Sequence, residues 1–159
     1  MRVGSGFDVH PLVPGRRLML GGIEIPSDKG LSGWSDADVL THAVMDALLG
    51  AAGLGDIGQH FPPGEPRYRN INSILLLKRV RSKLKDAGWR ASNIDATIVA
   101  ESPRLNSFFE QMKQRMSSAL FIQPDQVNVK ATTSEGLGYV GRGEGVAVYA
   151  VALIEQMTE

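Results

Sequence analysis

A single α/β domain is the fold class that this sequence predicts, built as a two-layer α/β sandwich with helices packed on one face of a mixed sheet. Apolar residues recur every second position in some segments and every three to four in others, and the two patterns alternate along the chain. No linker, internal repeat or low-complexity stretch interrupts them, and the 159 residues are 43% hydrophobic. That composition fits one domain, residues 1–159, that can bury a core of its own. A sheet covered by helices on one face leaves the other in need of cover, which points to oligomerisation.

The opening strand is expected from Arg2 to His10, closed by Pro11 and by Pro14-Gly15, where missing N–H groups and a turn stop the pairing. Arg17–Leu20 and Ile23–Ile25, joined by Gly21-Gly22, read as a short hairpin. Pro26 to Trp34 reads as a loop, with Ser35 or Asp36 capping the apolar helix that carries His42. Gly53 ends that helix and opens a long loop through Pro66. A second helix runs from Asn72 to Ala87, with Ile74, Leu75, Leu77, Val80 and Leu84 buried and Gly88 as its stop. Ile94–Ala100 alternates as a strand. Arg104–Leu120 forms the third helix, whose Phe108, Met112, Met116 and Leu120 stripe belongs to the core. Val127–Thr132 and Gly145–Ile154 are the last strands.

Charge and cysteine content narrow the function classes. There are 17 basic and 17 acidic side chains, and the one basic run, Lys78 to Lys85, has helical spacing and reads as a solvated face, which argues against nucleic acid. With no cysteine, disulfides, thiolate metal sites and cysteine nucleophiles are excluded. No signal peptide is visible, and no apolar stretch approaches the roughly 20 residues that span a bilayer, so a soluble, cytoplasmic protein is expected.

Asp8-Val9-His10 and, further on, His42 form the most informative pattern. On a strand Asp8 and His10 point to one face, and Phe7 and Val9 to the other. A third ligand from a helix would complete a site with an open position, the arrangement of catalytic rather than structural zinc. Two histidines near an aspartate also occur as ordinary hydrogen-bonded core residues. Asp38 and Asp46 lie four residues before and after His42 on one helical face, where a carboxylate can hold the second nitrogen of a ligating imidazole.

A second pattern is Lys130-Ala131-Thr132-Thr133-Ser134-Glu135, followed by glycines at 136, 138, 141, 143 and 145. Hydroxyls beside a carboxylate suit phosphate oxygens and a hard cation such as magnesium, although such a run also simply ends strands. Arg142 can grip an anion or pair with Glu144.

Several ordered motifs together carry a family resemblance: Gly6-Phe7-Asp8-Val9-His10, Ser35-Asp36-x-Asp38-Val39 leading to His42, Asp46 to Ala51, and Gly55-Asp56-Ile57-Gly58 with Phe61-Pro62. Asn128 to Glu135 and Gly141 to Gly145 complete the set. Over essentially its full length the chain resembles the 2-C-methyl-D-erythritol 2,4-cyclodiphosphate synthases of the non-mevalonate isoprenoid pathway.

That resemblance implies a homotrimer with active sites between subunits, and a CMP-releasing phosphorus–oxygen lyase. In its reaction the 2-phosphate of 4-diphosphocytidyl-2-C-methyl-D-erythritol 2-phosphate attacks the β-phosphorus. It further implies that Asp8, His10 and His42 bind zinc, and that Glu135 takes magnesium or manganese with the diphosphate. Trp34 and Thr133 occupy the transition-state positions, and Ser35 and Thr133 donate to phosphate. Val9, Asp56, Ile57, Gly58, Phe61 and Glu65 fall among the sugar contacts, while Ala100, Pro103, Arg104, Leu105, Asn106, Ala131 and Thr132 surround the cytosine. Ser134, Tyr139 and Arg142 lie near the phosphates or the threefold axis, where a cavity would accept an isoprenoid diphosphate.

The chain departs from the family pattern at Trp34, commonly His, at Pro63, often Asp, so that Glu65 is expected to take over its contacts, at Arg104, usually Lys, and at Tyr139, frequently Phe. Two rival readings remain at this level, a zinc-dependent phosphohydrolase that uses a metal-bound water, and a non-catalytic trimeric binder of nucleotide or isoprenoid diphosphate.

Overall fold

The computed structural model describes residues 1–158; Glu159, the last residue of the expected domain, lies outside the described residues. In chain order the elements are β1 (Arg2–Pro14), β2 (Leu18–Leu20), β3 (Ile23–Ile25), β4 (Lys29–Leu31), α1 (Val39–Ala52), α2 (Ile57–His60), α3 (Ser73–Asp86), β5 (Trp89–Val99), α4 (Phe109–Leu120), β6 (Val127–Thr132), α5 (Gly138–Gly141) and β7 (Gly145–Gln156). Short 3₁₀ turns sit at Pro66–Tyr68, Asn106–Phe108 and Pro124–Gln126. The main sheet has five strands in the order β4-β1-β7-β5-β6, and β2 and β3 form a separate ribbon. Among the described residues only β5 and β6 run parallel; the other pairs of this sheet are antiparallel, so the sheet is mixed as expected.

Strand alternation sorts the two faces. Val146, Val148, Ala150, Ala152 and Ile154 of β7 are buried under α1, which also packs on β1, while α3 and α4 cover β5 and β6. The opposite face carries Val3, Phe7, Val9, Tyr149 and Val151, all exposed. There Phe7 and Tyr149 are register partners with ring centroids 4.9 Å apart. A bare apolar face of this kind fits the expectation of a partner surface.

α1 is buried almost all round, and it reaches the sheet through small residues. Its N-cap is Asp38, not Ser35 or Asp36, because the Asp38 side chain reaches the Thr41 amide, and Gly53 ends it in the left-handed conformation. α3 agrees with expectation apart from one residue: Leu76 is buried and Leu75 exposed.

Other boundaries differ for local reasons. β1 continues past Pro11 to Pro14, since the Pro11 carbonyl accepts from Ser32 N while its missing donor costs no ladder bond, and the strand end pairs with edge strand β4 inside the expected loop. β5 begins at Trp89 rather than Ile94, because a bulge between Ala91 and Asn93 breaks the alternation. α4 begins at Phe109; residues 104–108 are an irregular segment closed by a 3₁₀ turn and anchored by buried Leu105. Met112, Met116 and Leu120 are core, as their spacing requires.

Candidate active site

β1 supplies Asp8 and His10 on the helix-covered face, and α1 brings His42 down onto them. Asp8 Oδ2 lies 2.9 Å from His10 Nε2 and 3.1 Å from His42 Nδ1, and the two nitrogens are 3.2 Å apart. A tetrahedral divalent ion bonded at about 2.0 Å needs its ligand atoms roughly 3.3 Å apart, close to this spacing. The three residues can therefore hold a metal ion. The donor chemistry agrees. His10 Nδ1 faces the Ser32 carbonyl at 2.9 Å, an oxygen that can only accept, so neutral His10 keeps its proton there and turns a lone pair toward Asp8 and His42.

Burial pushes the Asp8 carboxyl up, but hydrogen bonds and charge from His10 and His42 outweigh it and hold the group at about 2, against 3.8 for a free aspartate. Burial alone would lower His10, and the Asp8 hydrogen bond and charge, helped by the Ser32 carbonyl, raise it above its ordinary 6.5. Without a metal the pair is thus a carboxylate beside an imidazole that readily takes a proton, and a divalent ion would replace that proton.

Beside the triad opens a cavity of about 240 Å³, lined by Asp8, His10, Trp34, Ser35, His42, Ile57, Gly58, Phe61, Pro63, Tyr68 and Leu76. The expected residues Trp34, Ser35, Ile57, Gly58 and Phe61 are gathered here. Asp56 caps α2 just behind Ile57, accepting from Gln59 N at 3.0 Å. Val9 does not join them, because alternation turns its side chain to the opposite face of the sheet. Trp34 donates its indole N–H to the Glu65 carbonyl at 2.9 Å, and the Glu65 carboxylate pairs with Arg67.

The carboxylates expected to orient His42 do other work. Asp38 is fully buried and accepts from the amides of Gly21 at 2.9 Å, Gly22 at 2.7 Å and Thr41 at 3.0 Å, and from the Thr41 hydroxyl at 2.8 Å. It ties the β2–β3 turn to the start of α1. Burial and the Asp36 charge push its carboxyl up, opposed by those amides. Asp46 accepts from Ile57 N at 2.8 Å, and burial, with the charges of Asp56 and Asp8, raises it. His42 Nε2 is met instead by two hydroxyls, Ser73 Oγ at 3.0 Å and Ser35 Oγ at 3.1 Å. Ser73 was missed because Asn72-Ser73 before an apolar run reads as a helix start, and nothing in linear spacing places it near residue 42.

The second group of expected residues lies elsewhere on the same sheet, at its β6 edge. Register carries Asp8 to Val148, Val148 to Ile98 and Ile98 to Ala131, so Ala131 is level with Asp8 but three strands away. At about 4.8 Å per strand that is roughly 14 Å. Ala100, Thr132, Thr133, Ser134 and Glu135 cluster at this far end, where Glu101 accepts from Ser134 N and Oγ at 2.9 Å. Glu135 is exposed, with a left-handed φ of 55°. Pro103 borders a separate cavity of about 600 Å³ with Glu101, Lys29 and Val140. Arg104 and Asn106 flank buried Leu105 on the connection to α4. Arg142 pairs with Glu144 at 3.0 Å, and Tyr139 stays partly exposed one helical turn before it.

Residues 1–155 match the YgbB family. The chain belongs to the YgbB family. Relatives of this YgbB-family chain named 2-C-methyl-D-erythritol 2,4-cyclodiphosphate synthase include one from Syntrophomonas wolfei, 60% identical over 98% of this chain and 99% of its own length. Another, from Pelotomaculum thermopropionicum, is 61% identical over 98% of this chain and 96% of its own. Among solved structures, the bifunctional IspDF of Campylobacter jejuni superposes with a TM-score of 0.94 at 42% identity, covering 98% of this chain and 42% of that one. The CDP complex of IspF from Plasmodium falciparum gives a TM-score of 0.86 at 28% identity over 99% and 97% of the two chains. The five-stranded mixed sheet with helices on one face is thus the fold of this YgbB-family chain and of those neighbours alike.

Proposed function

We propose that this YgbB-family chain converts 4-diphosphocytidyl-2-C-methyl-D-erythritol 2-phosphate to 2-C-methyl-D-erythritol 2,4-cyclodiphosphate and CMP, as a phosphorus–oxygen lyase of non-mevalonate isoprenoid biosynthesis. The observation that carries the reading is the Asp8, His10 and His42 triad on the wall of a pocket of about 240 Å³, in a chain about 60% identical end to end to relatives of that name. One oxygen of the 2-phosphate bonds to the β-phosphorus, the bond from that phosphorus to the CMP oxygen breaks, and CMP leaves with the electron pair.

Two divalent ions complete the site in this reading, zinc on the triad and magnesium or manganese with Glu135, and they supply charge neutralisation for the two phosphates. The protein's share is positioning. Ser35 offers a hydroxyl from the pocket wall, and Thr133 another from the end of β6; the Trp34 backbone takes the transition-state position that His commonly fills. Holding the substrate bent, with nucleophile and phosphorus in line, turns a difficult encounter into an intramolecular one.

A homotrimer is part of the same proposal. The triad and the Thr133-Glu135 group are about three strands apart in one chain, too far to grip one diphosphate, while Phe7, Val9, Tyr149 and Val151 leave an apolar sheet face bare. A neighbouring copy seated there supports sites assembled from two subunits, with Pro103 to Asn106 and Ala131 to Thr133 of one facing the triad of the next. An isoprenoid diphosphate near Arg142 on the threefold axis, and a cytoplasmic setting, complete the reading. Among the described residues no helix is long and apolar enough to cross a membrane.

The test is incubation with 4-diphosphocytidyl-2-C-methyl-D-erythritol 2-phosphate and magnesium, followed by phosphorus NMR, for the parent, His42→Ala and Glu135→Gln. CMP and cyclic diphosphate in equal amounts, lost in both variants, is the expected result. Inorganic phosphate in place of CMP would point to the phosphohydrolase instead.

A further inference from the structure

The back of the His42 ring is held by hydroxyls, and hydroxyls can donate or accept, so the Ser73 and Ser35 contacts alone leave the position of the ring proton open. The Ser73 hydroxyl is constrained by its own next partner. Its Oγ–H donates to Asp36 Oδ1, a carboxylate oxygen that can only accept. The same carboxylate accepts from Ser73 N at 2.9 Å and Asp38 N at 3.1 Å, which fixes it in place. With its proton committed to Asp36, Ser73 has only lone pairs to present, so His42 Nε2 must carry the hydrogen and Nδ1 must be bare. Nδ1 is the atom facing Asp8 and His10. His10 is fixed in the opposite tautomer by the Ser32 carbonyl, and both rings turn a lone pair inward.

Ser35 feels the other consequence. Its Oγ accepts from Ala37 N at 3.3 Å and faces the protonated Nε2 of His42, so both contacts use lone pairs. No acceptor among the described residues takes the Ser35 proton, and Ser35 lines the pocket.

We propose that Asp36 and Ser73 are positioning residues: together they set His42 as the Nε2–H tautomer for metal binding, and through it they make Ser35 an obligate donor to an anionic oxygen in the pocket. This rests on the metal-dependent phosphate reading above. It reassigns to a buried hydroxyl and a carboxylate on the preceding loop the job that helical spacing gave to Asp38 and Asp46. Ser73 is not needed to start α3, since Asn72 Oδ1 already caps the Ile74 amide at 2.8 Å, yet it is wholly buried with its hydroxyl on His42.

The experiment titrates zinc ion alone into chelator-stripped parent, Ser73→Ala and Asp36→Asn, in competition with a chromophoric chelator. Ring tautomers are read by nitrogen NMR on labelled metal-free protein in alkaline buffer. Zinc affinity should fall about 10- to 100-fold in both variants, the cost typical of removing an outer partner of a ligating imidazole. His42 should pass from Nε2–H alone to a mixture, with circular dichroism unchanged. If Ser73→Ala does not fold, the near-isosteric Asp36→Asn decides alone. Affinity within twofold of the parent in a folded variant, or His42 found as Nδ1–H in the parent, overturns the proposal. A parent that shows these tautomers and binds zinc but forms no cyclic product would sink the reaction and leave this inference standing; one that binds no zinc removes both.

Discussion

Gly6 on β1 faces the carbonyl of Ala43 on α1 so closely that a β-carbon at Gly6 would lie 2.0 Å from that oxygen. One strand residue pair earlier, a β-carbon at Gly4 would lie 2.1 Å from Ala47 O. These two glycines let helix and strand backbones touch, and the contact sets the height of His42 above Asp8 and His10. Gly6→Ala must push α1 outward, so it should cost about 2 kcal/mol or more of folding stability. Denaturant melts together with zinc stoichiometry check this; a variant with parental stability and full zinc binding would show that the spacing is not set here.

Metal removal should also be visible without substrate. An ion bound by the folded triad and not by the unfolded chain stabilises the fold by mass action, about 2.7 kcal/mol at 100 times its dissociation constant. Chelation should therefore lower the melting temperature by several degrees, zinc should restore it, and His42→Ala should abolish the difference. An equal shift in parent and variant would place the metal elsewhere.

The metal-free protein should have a stability window set by Asp8 and His10. Asp8 titrates at about 2 when folded against 3.8 free, so its contribution is present above the free value and is lost as pH falls toward 2. His10 is raised above 6.5, so its contribution is present below that value and is lost as pH rises through the folded one. Both contributions coexist between about 4 and 6.5, where chelator-treated protein should melt highest. Zinc should move that maximum to higher pH by taking the place of the His10 proton. Melting curves against pH with and without chelator measure this, and a maximum that does not move with zinc would count against it.

What the sequence could disclose follows from how local each constraint is. Strand alternation forces Asp8 and His10 to one face whatever surrounds them, so that half of the site was legible. Helical spacing put Asp38 and Asp46 on one face with His42, but it could not foresee that Asp38 caps α1 and is claimed by the Gly21 and Gly22 amides, or that Ile57 N claims Asp46. Ser73 meets His42 across 31 residues, and a bulge at Ala91/Asn93 hid the first part of β5 from its alternation. Tertiary partners decided each of these, and spacing carries no record of them.

Trp34 stands where the family commonly has His. Its indole N–H is already given to the Glu65 carbonyl, while its own carbonyl accepts from Asn70 N at 2.9 Å, so the side chain acts as a tether between two loops. The backbone at this position should suffice for catalysis, and Trp34→His should change activity by no more than a few-fold. A gain on the order of 100-fold, roughly 2.7 kcal/mol of barrier, would show instead that an imidazole is needed.

Arg16 lies outside the pocket but fixes the loop that forms one wall of it. Its Nε donates to the Leu31 carbonyl at 3.2 Å, and one terminal nitrogen donates to the carbonyls of Gly33 at 3.3 Å and Ser35 at 3.4 Å. A single guanidinium thus clamps alternate carbonyls on either side of Trp34, and it does so beside Gly33, where a β-carbon would lie 3.0 Å from the His10 ring. Lysine carries the charge but cannot span three acceptors in a fixed fork. Arg16→Ala should therefore cost about 1–2 kcal/mol of stability and raise KM for the phosphorylated substrate more than it lowers kcat, with Arg16→Lys recovering only part of either. Parental KM in Arg16→Ala would mean that the loop holds its shape through β4 and the Ser32–Pro11 backbone bond alone.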